Sequence, residues 1–559
     1  MNAPHPFPDA ALQAPSGAPL LSVRHLSVAL PRGADRALAL DDVSFDLHAG
    51  EILCVVGESG SGKSLTTGAL LGLLPDGVKV AGGAAVWQGG DDLLTLSPQA
   101  LRRLRGQGIG MIFQEPMSAL NPLHTIGSQL AEVFRVHTRL GRREIAARVL
   151  ELLESVQIPD PARTLKAYPH ELSGGQRQRV MIAMALALEP ALLIADEPTT
   201  ALDVTTQAQI LRLIHDLQRR RGTAVLFITH DFGVVAEIAD RVAVMQRGKL
   251  VEAGQAEAVL NRPAHPYTQS LIAAVPSLAP PAWRPAAPVG GTPALEIASI
   301  SKTYRARGWF KRNARVTPAV DDLSLTLRAG ATLGIVGESG SGKSTLARLI
   351  LGLLEPDAGQ LLVAGSVLPQ GGARQRRERA RKIQMVFQDP YGSLNPRHRV
   401  GDIVAQGPQE QGVPRRQALA RARELFELVG LDPNALQRYP HEFSGGQRQR
   451  IGLARALALE PQILLADEPV SALDVSVQAQ VLALLARLRE QLGLSILFIT
   501  HDLRVAAQVC DRIAVMKNGR VVEQGECAQV FGAPAHPYTQ ELLAAVPGRQ
   551  WIHTAAAGG

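Results

Sequence analysis

Short hydrophobic runs recur along the chain and predict strands of two kinds. Uninterrupted runs at 52–56, 192–196 and 463–467 are typical of strands that are buried on both faces of a sheet. Similar runs at 224–230 and 495–501 predict strands that end at a histidine. Further strand-like patterns open each half of the chain, at 21–30, 43–47, 295–304 and 323–327.

Segments with helical spacing alternate with these strands. Residues 65–71 follow the first buried run and predict a helix. Between 121 and 168 the apolar residues take helical spacing, most clearly at 145–153, and 418–429 repeats that pattern. Short apolar strands that alternate with helices indicate a mainly parallel α/β sheet. We therefore predict such a sheet in each half, with a small helical lobe inserted into it.

The chain contains one long unit written twice. Loops of the pattern Gly-x-x-x-x-Gly-Lys-Ser begin at Gly57 and Gly337, 280 residues apart. The stretches Ser-Gly-Gly-Gln, Ala-Asp-Glu-Pro and Thr-His-Asp each recur 271 residues later, in the same order. A repeat of this length is a domain duplication and not a solenoid of short units.

Composition indicates where the two copies meet. The stretch 276–293 is rich in Pro and Ala, which is typical of an extended, semi-rigid linker. We predict a disordered lead at 1–19, a first domain at 20–275, a second domain at 294–547 and a tail at 548–559.

Bulk composition is that of a globular protein. Of 559 residues, 46% are hydrophobic and 19% are charged, and no apolar run reaches the roughly 18 residues of a membrane span. Residues 1–19 contain no Lys or Arg, so a secretory signal is not expected. The net charge of +7 permits contact with anionic lipid or nucleic acid but argues for neither. The three cysteines predict neither a metal site nor a disulfide, and Cys54 is expected in the core.

The two glycine loops carry the strongest chemical signal. Each follows a predicted buried strand and precedes a predicted helix, which is the context in which such a loop binds phosphate. Backbone N–H groups of the loop and the positive end of the helix dipole attract phosphate oxygens. Lys63 brings a charge to the β- and γ-phosphates, and Ser64 offers a hydroxyl to Mg²⁺.

Acidic residues and histidines at strand ends add the elements of phosphate hydrolysis. Asp196 ends a buried strand, where a carboxylate can hold the Mg²⁺ shell, and Glu197 would act on the attacking water as general base. His230 is expected to hydrogen-bond the γ-phosphate; a lone histidine is usually structural, but a matched position in both copies favours function. The second copy repeats these residues as Asp467, Glu468 and His501. The other paired histidines, His170 with His441 and His265 with His536, are interpreted as structural.

The Ser-Gly-Gly-Gln stretches predict a second phosphate-binding element in each copy. They precede a helix, whose N-terminus together with the two glycines can bind phosphate. Because each copy already has its own phosphate loop, we infer that ATP is held between the two copies.

Together these motifs resemble those of ABC-transporter ATPases with two fused nucleotide-binding domains. The resemblance covers about 20–275 and 294–547, and it includes Gln114, Gln388 and the elements at 200–203 and 471–474. It implies two tandem P-loop NTPase domains, each a RecA-like, mainly parallel α/β sheet core with an antiparallel β subdomain and an inserted helical subdomain. It also implies that Lys63 shares one ATP with Ser444 and that Lys343 shares the other with Ser173.

A finer resemblance is to importers of dipeptides, oligopeptides and related solutes, including nickel. It rests on the stretches 116–122 and 390–396, on Tyr-Pro-His-Glu at 168–171 and 439–442, and on His-Pro-Tyr-Thr at 265–268 and 536–539. Tyr304 matches the aromatic residue that stacks on adenine in the family, whereas the first copy has Leu30, which predicts weaker ATP binding there. Many peptide-importer ATPases carry a cysteine-containing tail proposed to hold an iron–sulfur cluster; none is expected here.

The predicted site residues fall into three groups. Catalysis is assigned to Glu197, Glu468, His230 and His501. ATP binding is assigned to Gly57, Glu58, Ser59, Gly60, Ser61, Gly62, Lys63, Ser64, Gln114, Ser173, Gly174, Gly175, Gln176, Tyr304, Gly337, Glu338, Ser339, Gly340, Ser341, Gly342, Lys343, Ser344, Thr345, Gln388, Ser444, Gly445, Gly446 and Gln447. Mg²⁺ binding is assigned to Ser64, Gln114, Asp196, Ser344, Gln388 and Asp467.

The resemblance thus implies an ATP-hydrolysing subunit of an importer for peptides or a related small solute. Its partners would be two integral-membrane permeases and, indirectly, a periplasmic solute-binding protein, which places it peripherally at the cytoplasmic face of the bacterial inner membrane. A soluble ABC ATPase acting on ribosomes or DNA is the alternative; the basic run at 374–382 supports it, although a solvated helix face explains that run better. The peptide-importer motifs oppose a third interpretation, an exporter ATPase. The sequence does not name the solute.

Overall fold

The structure, a computed structural model, describes residues 17–114, 119–199, 202–279, 291–305, 316–368, 371–471 and 473–551. Most of the predicted lead, linker and tail, and parts of the stretches 116–122, 200–203 and 471–474, lie outside these ranges. Contacts divide the chain into two compact units. The first comprises Met1–Leu202, Thr206–Ala273 and Pro547–Gly559, and the second comprises Asp203–Thr205 and Ala274–Val546.

The first half of the chain alternates strands with helices. Its strands are β1 (Leu21–Ala29), β2 (Leu38–Leu47), β3 (Ile52–Val56), β4 (Lys79–Trp87), β5 (Ile109–Ile112), β6 (Leu192–Asp196), β7 (Ala224–Thr229), β8 (Arg241–Gln246) and β9 (Lys249–Gln255). Its α-helices are α1 (Lys63–Leu70), α2 (Pro98–Gln107), α3 (Ile126–His137), α4 (Arg142–Ser155), α5 (Pro161–Thr164), α6 (Gly174–Leu186), α7 (Val204–Arg221), α8 (Phe232–Ile238), α9 (Ala256–Asn261) and α10 (Pro266–Ala273), and Pro169–Glu171 forms a 3₁₀ turn.

The second half repeats this order. Its strands are β10 (Leu295–Arg305), β11 (Val316–Leu327), β12 (Thr332–Val336), β13 (Ala358–Val363), β14 (Ser366–Val367), β15 (Ile383–Val386), β16 (Ile463–Asp467), β17 (Ser495–Ile499), β18 (Arg512–Lys517) and β19 (Arg520–Glu526). Its α-helices are α11 (Lys343–Leu351), α12 (Ala373–Lys382), α13 (Pro390–Ser393), α14 (Val400–Glu410), α15 (Arg415–Leu428), α16 (Gly445–Leu457), α17 (Val475–Leu492), α18 (Leu503–Val509), α19 (Cys527–Gly532) and α20 (Pro537–Ala544), with 3₁₀ turns at Pro433–Gln437 and Pro440–Glu442.

A six-stranded sheet forms the centre of each half. The first has the order β5-β6-β7-β3-β8-β9, and the second has the order β15-β16-β17-β12-β18-β19. In each sheet only the last pair is antiparallel. Every residue of β3 and β6 is buried, as their uninterrupted apolar runs predict. Because the carboxyl ends of parallel strands share one edge, the segments that follow β3, β6 and β7 lie side by side.

A smaller antiparallel sheet packs against each central sheet. Its order is β2-β1-β4 in the first half and β11-β10-β13-β14 in the second. One hydrophobic cluster joins Val23 and Leu40 of the small sheet to Val55 and Ile194 of the central sheet. Each such side chain contributes about 1.5–3 kcal/mol when it is removed from water, so this shared core fixes the two sheets on one another.

A helical lobe separates β5 from β6. Helix α3 buries Ile126 and Leu130, and α4 buries Ile145, Val149 and Leu153. The spacing of four residues places these side chains on one face of each helix, which then packs on its neighbour. In the second half, α14 and α15 occupy the same place in the chain and share a core that contains Val404 and Phe426.

The predicted fold class is confirmed, and the differences lie at element ends. Strands β2 and β11 begin at Leu38 and Val316, earlier than the patterns at 43–47 and 323–327 indicate. Strands β7 and β17 end before the histidines, so His230 and His501 lie in the following turns. Cys54 is buried, and the basic run forms α12 ahead of β15, both as predicted. Among the described residues, no helix combines the length and apolar character needed to cross a bilayer.

Candidate active site

The loop between β3 and α1 is shaped by its glycines. Gly57 has φ +152°, and a β-carbon there would lie 2.2 Å from the Met245 carbonyl oxygen, so only glycine fits. Helix α1 begins at Lys63 without a side-chain cap, which leaves its first N–H groups directed at the loop. Gly337 repeats this geometry, with φ +151° and 2.3 Å to the Met516 carbonyl oxygen.

The lysine of each loop lies across the loop backbone. Lys63 Nζ donates to the carbonyl oxygens of Gly57 at 2.7 Å and Glu58 at 2.9 Å, although the side chain is almost fully buried. Lys343 makes the same bonds to Gly337 at 2.7 Å and Glu338 at 2.8 Å. Burial lowers the pKa of Lys343, and neighbouring carboxylates such as Glu468 oppose that shift. Each loop thus holds an ammonium group where phosphate would bind.

Oxygen atoms that could bind a metal ion lie together beside the loop at the end of β6. Ser64 Oγ donates to Asp196 Oδ1 at 3.1 Å. Burial raises the pKa of Asp196, and the Ser64 hydrogen bond and Lys63 oppose the rise. In the second half, burial and the neighbouring Glu468 raise the pKa of Asp467 to about 6. A hydroxyl beside a buried carboxylate suits a hard divalent cation, which would stabilise the ionised acid.

Two predicted residues, a glutamine and a histidine, flank each strand-end glutamate. Gln114 Nε2 donates to Glu197 Oε2 at 3.0 Å, and His230 Nδ1 lies 3.2 Å from Glu197 Oε1. Glu197 has φ +47°, a left-handed conformation that few residues other than glycine adopt. Backbone of this kind persists where the surroundings hold it, and it occurs often at functional sites.

The second half reproduces this cluster closely. Gln388 Nε2 donates to Glu468 Oε2 at 2.7 Å, His501 Nδ1 lies 3.1 Å from Glu468 Oε1, and Glu468 has φ +45°. Burial pushes the pKa of Glu468 up, but His501, together with Lys343 and Ser471, outweighs it, so the net shift is downward. Burial pushes the pKa of His501 down, and Glu468 reverses that shift to a net rise. The glutamate is therefore ionised at neutral pH and can accept a hydrogen bond from water.

The Ser-Gly-Gly-Gln stretches form exposed helix N-termini. Ser173 Oγ accepts from the Gln176 N–H at 3.3 Å, and the Gln176 side-chain oxygen accepts from the Ser173 N–H at 3.0 Å. Ser444 and Gln447 make the same capping box at the start of α16. These bonds fix the position of each serine side chain at its helix N-terminus. The pairing of Lys63 with Ser444 and of Lys343 with Ser173 stays a prediction.

The structure also places Tyr304, its counterpart Leu30 and the paired histidines of the other motifs. Tyr304 lies near the end of β10 with 41% of its surface exposed, and its counterpart Leu30 packs against the hydrophobic core of the first half. The imidazole of His265 accepts from the Tyr267 N–H at 3.1 Å, and His536 does the same for Tyr538. His170 and His441 stack on the tyrosines of their own motifs, Tyr168 and Tyr439.

Two contacts of the phosphate loops were not anticipated from the sequence. The Glu58 N–H donates to the Tyr267 hydroxyl at 3.3 Å, and the Glu338 N–H donates to the Tyr538 hydroxyl at 3.2 Å. Because 209 residues separate Glu58 from Tyr267, no local pattern indicates this contact. Its one signal in the sequence is that His-Pro-Tyr-Thr recurs in both halves.

Family models match most of the described motifs. The ABC transporter model matches residues 40–200 and 320–471. A model described as the C-terminal region of oligopeptide/dipeptide transporters matches residues 251–314 and 522–553.

Curated relatives are similar along nearly the whole chain. A "Peptidoglycan transport ATP-binding protein" from Agrobacterium fabrum is 49% identical over 96% of this chain and 98% of its own length. A "Glutathione import ATP-binding protein" from Escherichia coli K12 is 45% identical over 94% of this chain and 89% of its own length. A solved structure from Clostridium perfringens, described as part of an ABC transporter complex, is 27% identical over 44% of this chain and 92% of that chain, with a TM-score of 0.39.

Proposed function

This chain belongs to the ABC transporter family of ATP-binding, ATP-hydrolysing proteins, and from that premise we propose that its ATPase drives import of peptides or a related small solute. The observation that carries the hydrolytic part of the proposal is the doubled Gln–Glu–His cluster, and the match to the oligopeptide/dipeptide transporter C-terminal region supports the import part. Two complete clusters support two hydrolytic sites in one chain.

Each site is built to position a water against the γ-phosphate. Glu197 accepts a hydrogen bond from the water and takes its proton, while Gln114 and His230 hold the carboxylate from either side. The loop N–H groups and Lys63 neutralise charge that develops on the phosphates. Glu468, Gln388, His501 and Lys343 do the same in the second half.

The proposed Mg²⁺ ligands are Ser64, Gln114 and Asp196 in the first half and Ser344, Gln388 and Asp467 in the second. Among the described residues, no cluster of three His, Cys, Asp or Glu side chains could hold a metal alone. The nucleotide phosphates would therefore complete the shell, as is usual for Mg²⁺ at phosphoryl-transfer sites. The bound ion would neutralise charge on the β- and γ-oxygens.

We further propose that each ATP lies between a phosphate loop and the opposite Ser-Gly-Gly-Gln. Ser173 and Ser444 are exposed, and the helices that they cap present a positive dipole end. ATP would then join Lys63 to Ser444 and Lys343 to Ser173, and its binding would favour the closed state of the two domains.

The proposed partners are two permeases, with a periplasmic solute-binding protein acting through them at the inner membrane. The relatives named for peptidoglycan transport and glutathione import, and the match to the oligopeptide/dipeptide transporter C-terminal region, support this assignment. The ribosome- or DNA-directed alternative rests on the basic residues of α12, which form part of an ordinary surface helix.

Reconstitution tests the import proposal. The chain is combined with its two permeases in lipid vesicles, and ATP hydrolysis and uptake of labelled dipeptides are measured with and without the solute-binding protein. We expect both rates to rise several-fold when the loaded binding protein is present. Peptide-independent ATPase activity that ribosomes or duplex DNA stimulate instead would support the alternative.

Tyr304 provides a prediction about the second nucleotide site. Tyr304→Ala should weaken ATP binding there about five-fold, because stacking on adenine contributes on the order of 1 kcal/mol. Titration with a fluorescent ATP analogue measures the change. Tyr304→Phe is the matched control, since it keeps the ring; an equal loss in both variants would contradict stacking.

A further inference from the structure

A tyrosine hydroxyl reaches the phosphate loop from the C-terminal part of each half. The bonds from the Glu58 N–H to Tyr267 and from the Glu338 N–H to Tyr538 are nearly the same length, 3.3 and 3.2 Å. Both tyrosines begin a helix, α10 or α20, far along the chain from the loop that they contact. Two independent copies of one contact indicate a built feature of the fold.

The contacted peptide group also holds the loop lysine. The Glu58 N–H belongs to the same planar unit as the Gly57 carbonyl, which accepts from Lys63 Nζ at 2.7 Å. A planar peptide turns as one body, so the hydroxyl that holds its N–H also fixes the direction of its carbonyl. The tyrosine therefore acts on Lys63 through a single peptide plane. Gly337, Glu338 and Lys343 repeat the arrangement, again at 2.7 Å.

Hydrogen bonds in the turn before the tyrosine fix its position. Glu252 on β9 accepts from the Ala264 N–H at 2.7 Å and the His265 N–H at 3.1 Å, and His265 then caps the helix that starts with Pro266 and Tyr267. In the second half Glu523 on β19 accepts the corresponding bonds at 2.8 and 3.1 Å. An acid on an edge strand, a capped turn and a tyrosine thus form a chain of contacts that ends at the loop.

In the second half, Tyr538 makes an additional contact that holds its ring in place. Tyr538 is almost fully buried, and Lys517 Nζ lies 4.1 Å from the centre of its ring, whereas the aligned residue in the first half is Gln246. Burial raises the pKa of Tyr538, and the nearby Glu338 carboxylate adds to that rise, so the hydroxyl stays protonated.

We propose that Tyr267 and Tyr538 are positioning residues for ATP, which orient the first peptide of each phosphate loop and so set the resting place of Lys63 and Lys343. This proposal rests on ATP binding at the two loops, and it gives the His-Pro-Tyr-Thr segment a role that is independent of the transported solute. The hydroxyls act on the backbone of the loop that binds nucleotide, so they affect nucleotide affinity more than the chemical step.

The test is the double variant Tyr267→Phe/Tyr538→Phe in the full chain, which removes two oxygens and keeps both rings. Loss of the hydrogen bond to the loop N–H is worth about 0.5–1.5 kcal/mol per site. Because ATP must then restore the orientation of the loop, we expect a rise in KM for ATP of roughly two- to twelve-fold with kcat little changed. Equilibrium binding of a fluorescent ATP analogue should weaken by the same factor, and the thermal midpoint of the ATP-free chain should fall by no more than about 6 °C, which is what the loss of 1.5 kcal/mol produces in a domain of this size.

Tyr168→Phe/Tyr439→Phe is the matched control, because it removes two hydroxyls from tyrosines whose rings stack on their motif histidines. It should leave KM unchanged. An unchanged KM in the Tyr267/Tyr538 variant, or a fall in kcat or thermal midpoint without a change in nucleotide affinity, would overturn the proposal. These measurements use ATP and the chain alone, so failure of the peptide-import assignment does not affect their outcome.

Discussion

Replacing Glu197 and Glu468 with glutamine in one chain is expected to lower ATP hydrolysis by about 100-fold or more, because a positioned general base contributes roughly 10²–10⁴-fold. Glutamine keeps the shape of glutamate and can still accept from Gln114 and Gln388, but its amide cannot take a proton from water. ATP binding should persist, so the variant should accumulate a closed, ATP-loaded form. Phosphate release under steady state measures the first effect, and ATP retained after gel filtration measures the second.

The control for this variant uses another pair of aligned glutamates. Glu189 and Glu460 pair with Arg221 and Arg421 on the surface, away from the clusters. Glu189→Gln/Glu460→Gln should leave turnover within about two-fold of the parent, because exposed ion pairs contribute only 0–1 kcal/mol. Turnover that survives in the Glu197/Glu468 variant would show that another group activates water.

Much of the fold was predictable because burial leaves a direct signature in sequence. A strand such as β3, covered on both faces, must be apolar at every position, and a glycine loop between it and a helix has few other interpretations. Residues such as Lys63 and Ser64 are therefore placed by their immediate neighbours in the chain. Element ends were less predictable, since β2 continues past a register irregularity at Asp41 and Asp42, beyond which Leu40 and Leu38 pair with β1.

The geometry of the site could not be predicted in the same way, because it is assembled from distant segments. Gln114 follows β5, Glu197 follows β6 and His230 follows β7, and only the strand order brings the three together. The left-handed backbone of Glu197 has no sequence signal, since glutamate seldom adopts it. The contact of Tyr267 with the loop likewise depends on tertiary packing alone.

The second large prediction concerns the proposed pairing of each phosphate loop with the Ser-Gly-Gly-Gln helix of the other half. Two double variants that share the substitution Lys63→Ala test it. If Lys63 and Ser444 serve one ATP, Lys63→Ala/Ser444→Glu damages one site and leaves the other, so about one ATP analogue should bind per chain. Lys63→Ala/Ser173→Glu damages both sites, because Ser173 serves Lys343, and binding should fall to background. A glutamate there places a negative charge against the phosphates, which costs several-fold to many-fold in affinity.

The comparison is internally controlled, since Ser173 and Ser444 cap their helices in the same way and both substitutions disturb that cap equally. Loss of the cap alone costs about 1 kcal/mol, and it would weaken the two variants to the same extent. Only the cross-pairing predicts a difference in stoichiometry, measured by equilibrium dialysis at saturating analogue. Equal stoichiometry in the two double variants, or survival of a site in the Ser173 variant alone, would show that each half binds ATP without the other.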